Sequence, residues 1–332
     1  MSLLGRDLAM DLGAASTRIY AKGKGIVLDE PSAVMRDRET GTVLGFGAEA
    51  VDAAGAGTGT GETHWPVSGG LPHDGELTRQ MIRHFMRKVH RHPFSRPRLV
   101  MALPDDSTPI ERVALRDIAF EAEARGILLV GHAVAAALGA GLPLDDGAGH
   151  MVIDIGRDAA RIAVLACGTV VAAGKVHGGG NAVNRAIARL VEDEHGLLLD
   201  EREAESAKRR AGAAPEPDHE LLVRGRDADT GEERAVPLPV RHVHEAAGQP
   251  VEHIVRAAED TVDRCPAEVT ADLGERGAVL VGGGALLRGL RTRLRAGLSM
   301  PVRRAERPAV SVALGLGRCV EDLGLIAKLR RR

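Results

Sequence analysis

Aromatic side chains are almost missing: four Phe, one Tyr and one Trp make up 2% of the 332 residues. Proteins that grip single-stranded nucleic acid need aromatic platforms for base stacking, so that class is excluded. There is no surplus of positive charge either. The 44 Lys and Arg against 46 Asp and Glu leave a formal net charge of -2, which argues against bulk nucleic-acid binding. The three cysteines, Cys167, Cys265 and Cys319, are widely scattered and form neither a disulfide framework nor a metal cluster. No apolar run approaches the roughly twenty residues of a membrane-spanning helix, and no signal peptide is evident. A cytoplasmic location follows as the expectation. His84, His90 and His92 crowd one stretch, and His242 and His244 another. No Cys or carboxylate pattern completes a metal site around either group, so these histidines are expected at the surface. The basic run Lys328-Leu329-Arg330-Arg331-Arg332 reads as a solvated tail.

What the chain does contain is ordinary in bulk and unusual in pattern. Hydrophobic residues at 44% and charged residues at 27% give a globular balance, and the length suffices for two domains with sizeable cores. Two stretches look like copies of one hairpin. The first reads Ala9-Met10-Asp11-Leu12-Gly13, then a turn to Arg18, then a strand leading to Gly25. The second reads Val152-Ile153-Asp154-Ile155-Gly156, then a turn to Arg161, then a strand leading to Gly168. Asp11 with Asp154, Gly13 with Gly156, Arg18 with Arg161 and Gly25 with Gly168 all differ by 143. A repeat this coarse describes architecture: two related domains, each offering an Asp-x-Gly turn. An Asp at the end of a buried strand can hold a metal-bound water, and Gly lets the backbone approach a ligand closely. The amides that follow can point at phosphate oxygens.

Short β-rich segments alternate with amphipathic helices, which predicts an α/β fold. Strands are predicted at 7–12, 17–22, 25–29, 98–103 and 126–130, and again at 150–154, 160–166 and 169–175. Leu77, Met81, Phe85 and Val89 recur every four positions, predicting a helix over 76–91. Thr108, Pro109 and Glu111 make a capping-box start for a helix over 108–124. Further helices are predicted at 180–195 and 201–211, and polar strands at 219–226 and 233–238. A helical region over 240–263 contains Pro250, which should kink or split it. The Gly- and Thr-rich stretch 54–62 reads as a flexible surface loop.

A third phosphate-side element is the apolar strand Ala278-Val279-Leu280-Val281, which runs into Gly282, Gly283, Gly284 and Ala285 and opens a helix. With two Asp-x-Gly hairpins before it, the chain resembles the actin superfamily and, within it, the bacterial MreB/Mbl family of cell-shape proteins. The resemblance covers nearly the whole chain. It is carried by Asp11 to Thr17, Lys22 to Ser32, Met86 to His90, Ala135 to Pro143, Val223 to Arg226 and Val281 to Leu290.

That resemblance implies an actin-like two-domain α/β fold, with duplicated hairpin-led sheets flanked by helices and an interdomain nucleotide cleft. Domain I would span 1–143 plus 310–332, with a small subdomain at about 32–75; domain II would span 144–309, with a small subdomain at about 178–240. The implied cofactors are ATP and Mg2+, with Asp11 and Asp154 flanking the ion through water. Gly13, Ala14, Ala15, Ser16, Gly156, Arg157 and Asp158 would line the phosphates. Glu205 and Lys208 would hold the adenosine, although an i,i+3 Glu/Lys pair is by itself more often a surface ion pair. Gly282, Gly283, Gly284 and Ala285 would lie beside the nucleoside. The implied partners are copies of the chain in filaments, an MreB paralogue, and wall-synthesis or membrane-anchoring proteins on the inner face of the membrane. Leu3 and Leu4 are the residues that could insert shallowly into lipid.

The departures from the family pattern fall on the chemistry. Gly13-Ala14-Ala15-Ser16-Thr17 stands where relatives usually have Gly-Thr-Ala-Asn-Thr. Gly156-Arg157-Asp158-Ala159-Ala160-Arg161 replaces Gly-Gly-Gly-Thr-Thr-Glu. Gly131-His132-Ala133 replaces Glu-Glu-Pro, where relatives carry a carboxylate thought to position water, and Gly180-Asn181 replaces Gly-Asp. Each lost hydrogen bond to a charged phosphate is worth about 1.5–3 kcal/mol, while Arg157 and Arg161 could offset part of the loss by pairing with phosphate. With His132 as the residue left at the water-positioning segment, weak or absent ATP hydrolysis is expected. The alternatives are an actin-like partner or filament cap that does not cycle nucleotide and, less well supported, a small-molecule kinase of the same superfamily.

Overall fold

The computed structural model describes residues 7–55, 61–90, 96–214, 216 and 219–325. Leu3, Leu4 and the basic C-terminal run lie outside them. The chain forms two compact units: one comprises Met1–Val152, Leu165–Val171 and Ala305–Arg332, the other Ile153–Val164 and Ala172–Arg304.

The first unit is built on a five-stranded sheet in the order Gly126–Gly131, Arg98–Leu103, Leu8–Leu12, Ser16–Ala21, Gly25–Pro31. Leu8–Leu12 is buried at every residue and pairs parallel to Arg98–Leu103 on one side and antiparallel to Ser16–Ala21 on the other. Its continuous apolar character reflects cover on both faces. The helix Gly75–Val89 covers the sheet with Leu77, Met81, Ile82, Phe85 and Met86, following the four-residue periodicity seen in the sequence. Asp74 starts it by accepting from the Leu77 amide at 2.9 Å. The capping box forms in full at helix Pro109–Glu121: Glu111 N donates to Thr108 Oγ1 at 3.2 Å and Thr108 N donates to Glu111 Oε2 at 2.8 Å.

The second unit repeats the plan. The other five-stranded sheet, most of whose residues lie in this unit, runs Thr169–His177, Ala159–Ala166, His150–Ile155, Ala278–Val281, Val302–Arg304. Read from the other edge, this is the same order: a hairpin-linked trio led by the Asp-bearing strand, then two strands added from later in the chain. The repeat also holds at the level of single bonds. Gly13 N donates to Ser16 O at 3.1 Å and Gly156 N to Ala159 O at 2.9 Å. Gly25 and Gly168 both take positive φ, +81° and +72°, at the following turn.

Each unit carries a smaller sheet. In the first, Val43–Phe46, Val34–Asp37 and Gly61–His64 pair antiparallel beside helix Ala48–Gly55, around Ala33, Met35 and Ala50. In the second, Leu197–Leu198, Glu220–Asp227 and Glu233–Pro239 form a sheet over a separate core that includes Val183, Ile187, Val223 and Leu238.

Two expectations need correction, and a third, the split of 240–263, holds but at a different position. The stretch 54–62 is not one loop. Residues 54 and 55 finish a helix, and Gly61 and Glu62 pair in register with Asp37 and Arg36. A short edge strand with a polar, Gly-led sequence leaves little alternation to read. The region 240–263 splits at Ala247 into Val240–Ala246 and Gly248–Asp263, which places Pro250 in the first turn of the second helix, where its missing amide costs nothing. The glycine run opens a 3-10 turn, Gly283–Leu286, and the α-helix begins only at Leu290.

Helix His132–Gly139 starts at the water-positioning segment, as expected of His132, whereas Ser311–Glu321 and Ala267–Arg276 are helices that the sequence reading did not place. The first two cross at backbone contact through Gly139 and Gly315. A Cβ on Gly139 would overlap the Ser311 carbonyl and lie 2.9 Å from Gly315 N; one on Gly315 would overlap the Ala135 carbonyl and lie 2.8 Å from Gly139 N.

Candidate functional site

In the first unit, Asp11 is buried at the end of its strand with its carboxylate 3.8 Å from Arg18, which also lies 3.0 Å from Asp29. The turn after it is tight. A Cβ on Gly13 would come within 2.8 Å of Ser16 O, so glycine is required by close approach. Ala14 is buried, Ser16 is half-buried and Ala15 is exposed. The hydroxyl of Thr17 does not face outward: it is buried and bonded to Ser32 Oγ at 2.8 Å, and Ser32 Oγ donates to Gly13 O at 2.6 Å. Ser32 N donates to Ala15 O at 3.1 Å, so Ser32 braces the turn from just past the end of strand Gly25–Pro31. Sequence reading missed Ser32, which stands outside the motif.

In the second unit, Asp154 is likewise buried at a strand end. The glycine run packs against it. Gly282 has φ 80° and ψ 167°, and a Cβ there would collide with the Asp154 carboxylate and the Ile155 carbonyl. A Cβ on Gly284 would collide with the Ile155 side chain, whereas one on Gly283 would meet nothing within 4 Å. Ala285 is buried beside them. The glycine run therefore packs directly on the strand end that leads into the second Asp-x-Gly turn.

The turn from Gly156 rests on the start of helix Gly179–His195. Gly180 N donates to Gly156 O at 2.9 Å, Asn181 N to Arg157 O at 2.9 Å, and Gly178 N to Asp158 O at 2.6 Å. Asn181 Nδ2 also donates to Asp158 Oδ1 at 3.1 Å. Arg157 donates through Nη2 to Glu201 Oε1 at 2.8 Å, and its Nε lies 3.8 Å from Asp158 Oδ1. The arginine expected to meet phosphate is thus engaged by a carboxylate of the protein, a contact 44 residues away in sequence.

Glu205 and Lys208 are not a surface pair. Lys208 Nζ donates to Glu205 Oε2 at 2.5 Å and to Gly180 O at 3.2 Å, and Asn184 Nδ2 donates to Glu205 Oε2 at 3.0 Å. Burial, the largest influence, would raise the Glu205 pKa, but the Lys208 charge and hydrogen bonds from Lys208, Asn184 and Arg209 outweigh it and hold it below the ordinary value. Burial lowers the Lys208 pKa against the pull of Glu205. Glu205 therefore adds stability that is present above its unfolded-state pKa and lost as pH falls through the lower folded-state value. Lys208 acts at the other end, where stability rises with pH above its depressed value. In Glu205→Gln, the acid-side fall of unfolding free energy should be shallower than in the parent chain, as read by denaturant midpoints between pH 3 and 6. An identical slope would show that the pair is not linked to folding.

His132 opens helix His132–Gly139 and is half-buried. A carboxylate does stand at this helix start, from an unexpected source: Asp105 Oδ2 accepts from Ala133 N at 2.9 Å. A Cβ on Gly131 would lie 2.8 Å from Asp105 Oδ1. Of the clustered histidines, His84, His90, His242 and His244 are partly buried rather than fully exposed. His84 stacks on Phe46 at 4.6 Å between ring centres, and burial lowers its pKa, helped by Lys88. His242 lies 2.9 Å from Glu194, while burial and then Arg288 lower the His244 pKa. His92 lies outside the described residues.

Among the described residues no three His, Cys, Asp or Glu side chains converge as a metal cage. Asp11 and Asp154 are each buried near the end of a strand.

A family model described as MreB/Mbl protein matches residues 5–328. The chain belongs to the MreB/Mbl family. The cell shape-determining protein MreB of Escherichia coli (strain K12) is 38% identical over 331 residues, covering 97% of this chain and 95% of that protein. Among solved structures, MreB5 of Spiroplasma citri bound to AMPPNP superposes with a TM-score of 0.91 at 23% identity, covering 98% of each chain. A MamK double helical filament gives a TM-score of 0.78 at 19% identity, covering 95% of this chain and 99% of that one. These two likenesses establish the actin-like fold. No helix among the described residues is long and apolar enough to cross a membrane.

Proposed function

We propose that this MreB/Mbl-family chain is a cytoskeletal subunit that binds an adenine nucleotide with Mg2+, self-associates into filaments on the inner membrane face and supports cell shape and wall synthesis. The observation that carries the nucleotide half is the packing of the glycine run against the buried Asp154 carboxylate. It leaves bare backbone, free of Cβ atoms, beside a carboxylate able to hold a metal-bound water. Asp11 and Asp154 take the Mg2+ waters; the turns from Gly13 and Gly156 face the phosphates; Glu205, Lys208 and Gly282 to Ala285 hold the nucleoside. MreB5 is seen with AMPPNP and MamK as a double helical filament, and kinship supports carrying both properties over. In this reading Leu3 and Leu4, outside the described residues, make the lipid contact.

Hydrolysis is slow. Position 131 has no side chain, His132 is a poor base for water, and the Asp105 carboxylate is used to cap the Ala133 amide. Electron microscopy with and without ATP, alongside phosphate release, tests this. Filaments with little released phosphate are expected. Brisk turnover would overturn the slow-hydrolysis half, and absence of filaments under every nucleotide condition would favour a non-cycling partner or cap. That second possibility is favoured by one observation, the engagement of Arg157 by Glu201 in place of an open phosphate-binding side chain.

A further inference from the structure

We propose that the second Asp-x-Gly turn is strapped into shape by the protein's own side chains, so that its conformation does not respond to nucleotide. The proposal rests on the nucleotide function above for its meaning, but the strap itself is a property of the ligand-free chain.

Three carbonyls in succession, those of Gly156, Arg157 and Asp158, accept amides from the start of helix Gly179–His195. Two side-chain braces lie over this backbone seam. Arg157 reaches Glu201 at the first position of helix Glu201–Ala213. Asp158 accepts from Asn181 in the first turn of the other helix. Arg157 also lies 3.8 Å from Asp158, so the two braces share a charge. The side chains of Arg157 and Asp158 are mostly covered, 16% and 22% exposed, while Glu201 is 55% exposed. The turn is therefore tied to two separate helices.

A turn of glycines and threonines leaves its hydroxyls and its backbone freedom to be satisfied by a ligand, and ordering then accompanies binding. Here Arg, Asp and Asn stand at the corresponding places: Arg157 is held by Glu201 and Asp158 by the Asn181 amide. A ligand shifts a conformational equilibrium only through differential affinity for two states. A turn with one populated state gives it nothing to shift. Nucleotide binding and release are thereby uncoupled from the shape of this turn, and subunit assembly does not wait on it.

Hydrogen-exchange mass spectrometry on the full chain tests this, following peptides that contain residues 156–161 and 178–181. Glu201→Gln and Arg157→Ala are compared with the parent, first with no nucleotide and then with AMPPNP and Mg2+. The parent turn should already be protected without ligand, and AMPPNP should change its exchange by less than about twofold. Both variants should exchange about threefold faster without ligand, the scale of a partly exposed ion pair, and regain protection when AMPPNP is added. Unchanged ligand-free exchange in both variants would overturn the strap, as would a tenfold or greater slowing of the parent turn by AMPPNP. Calorimetry run in parallel keeps the two ideas apart. If AMPPNP does not bind, the nucleotide function fails while the ligand-free comparison still decides the strap.

Discussion

Gly315→Ala should destabilise the first unit by about 3 kcal/mol, at the upper end of the cost of overpacking a close contact. The added methyl would overlap the Ala135 carbonyl and press on Gly139 N, and neither is the yielding end of a flexible side chain. The helices Ser311–Glu321 and His132–Gly139 would have to separate. Helix Ser311–Glu321 contributes Val312, Ala313, Leu316, Cys319 and Val320 to the buried set, so separation opens space around them. In a unit of this size the loss corresponds to a fall in melting temperature on the order of 10 °C. Gly274→Ala is the opposite case. It lies in helix Ala267–Arg276 with nothing within 4 Å of the new methyl, and should stabilise by about 0.5–1 kcal/mol. Scanning calorimetry on both variants decides. Equal behaviour would mean that the helix crossing is looser than described.

Gly282→Ala should lose both stability and nucleotide affinity. The backbone at φ 80° and ψ 167° lies in a region essentially reserved for glycine, where strain alone costs about 1–3 kcal/mol. The methyl would also displace the Asp154 carboxylate. We expect a fall in stability of about 3 kcal/mol and a loss of nucleotide affinity of about a hundredfold, 2.7 kcal/mol, within the range for hydrogen bonds to charged groups. Gly283→Ala separates the two effects. Its methyl meets nothing in the protein, so stability should hold, while a nucleoside lying on that backbone would be pushed away. Full nucleotide affinity in both variants would remove the glycine run from the binding site.

The parts of this molecule that are legible in sequence are those whose information is local or strictly repeated. Asp11 and Asp154 are apparent because strand, turn and following glycine recur at one spacing, and the turn bonds of Gly13 and Gly156 repeat with them. The Thr108 to Glu111 capping box spans four residues and is readable as such. What could not be read joins distant positions through side chains with many possible partners. Ser32 reaches back 19 residues to brace Gly13. Asp105 caps an amide 28 residues on. Arg157 was correctly placed in the turn, but its partner Glu201 belongs to another helix. Gly139 and Gly315 look like any other glycines until the helices that hold them cross.

The order in which the chain is made gives that crossing a further meaning. The first unit takes residues from both ends of the polypeptide, whereas the longest part of the second, Ala172–Arg304, is continuous. During synthesis the sheet led by Leu8–Leu12 lacks the cover of Ser311–Glu321 until that helix leaves the ribosome. The later half can settle first, reversing the usual amino-terminal priority. A truncation just before residue 311 should therefore leave the earlier-made half unable to finish folding while sparing the later-made one.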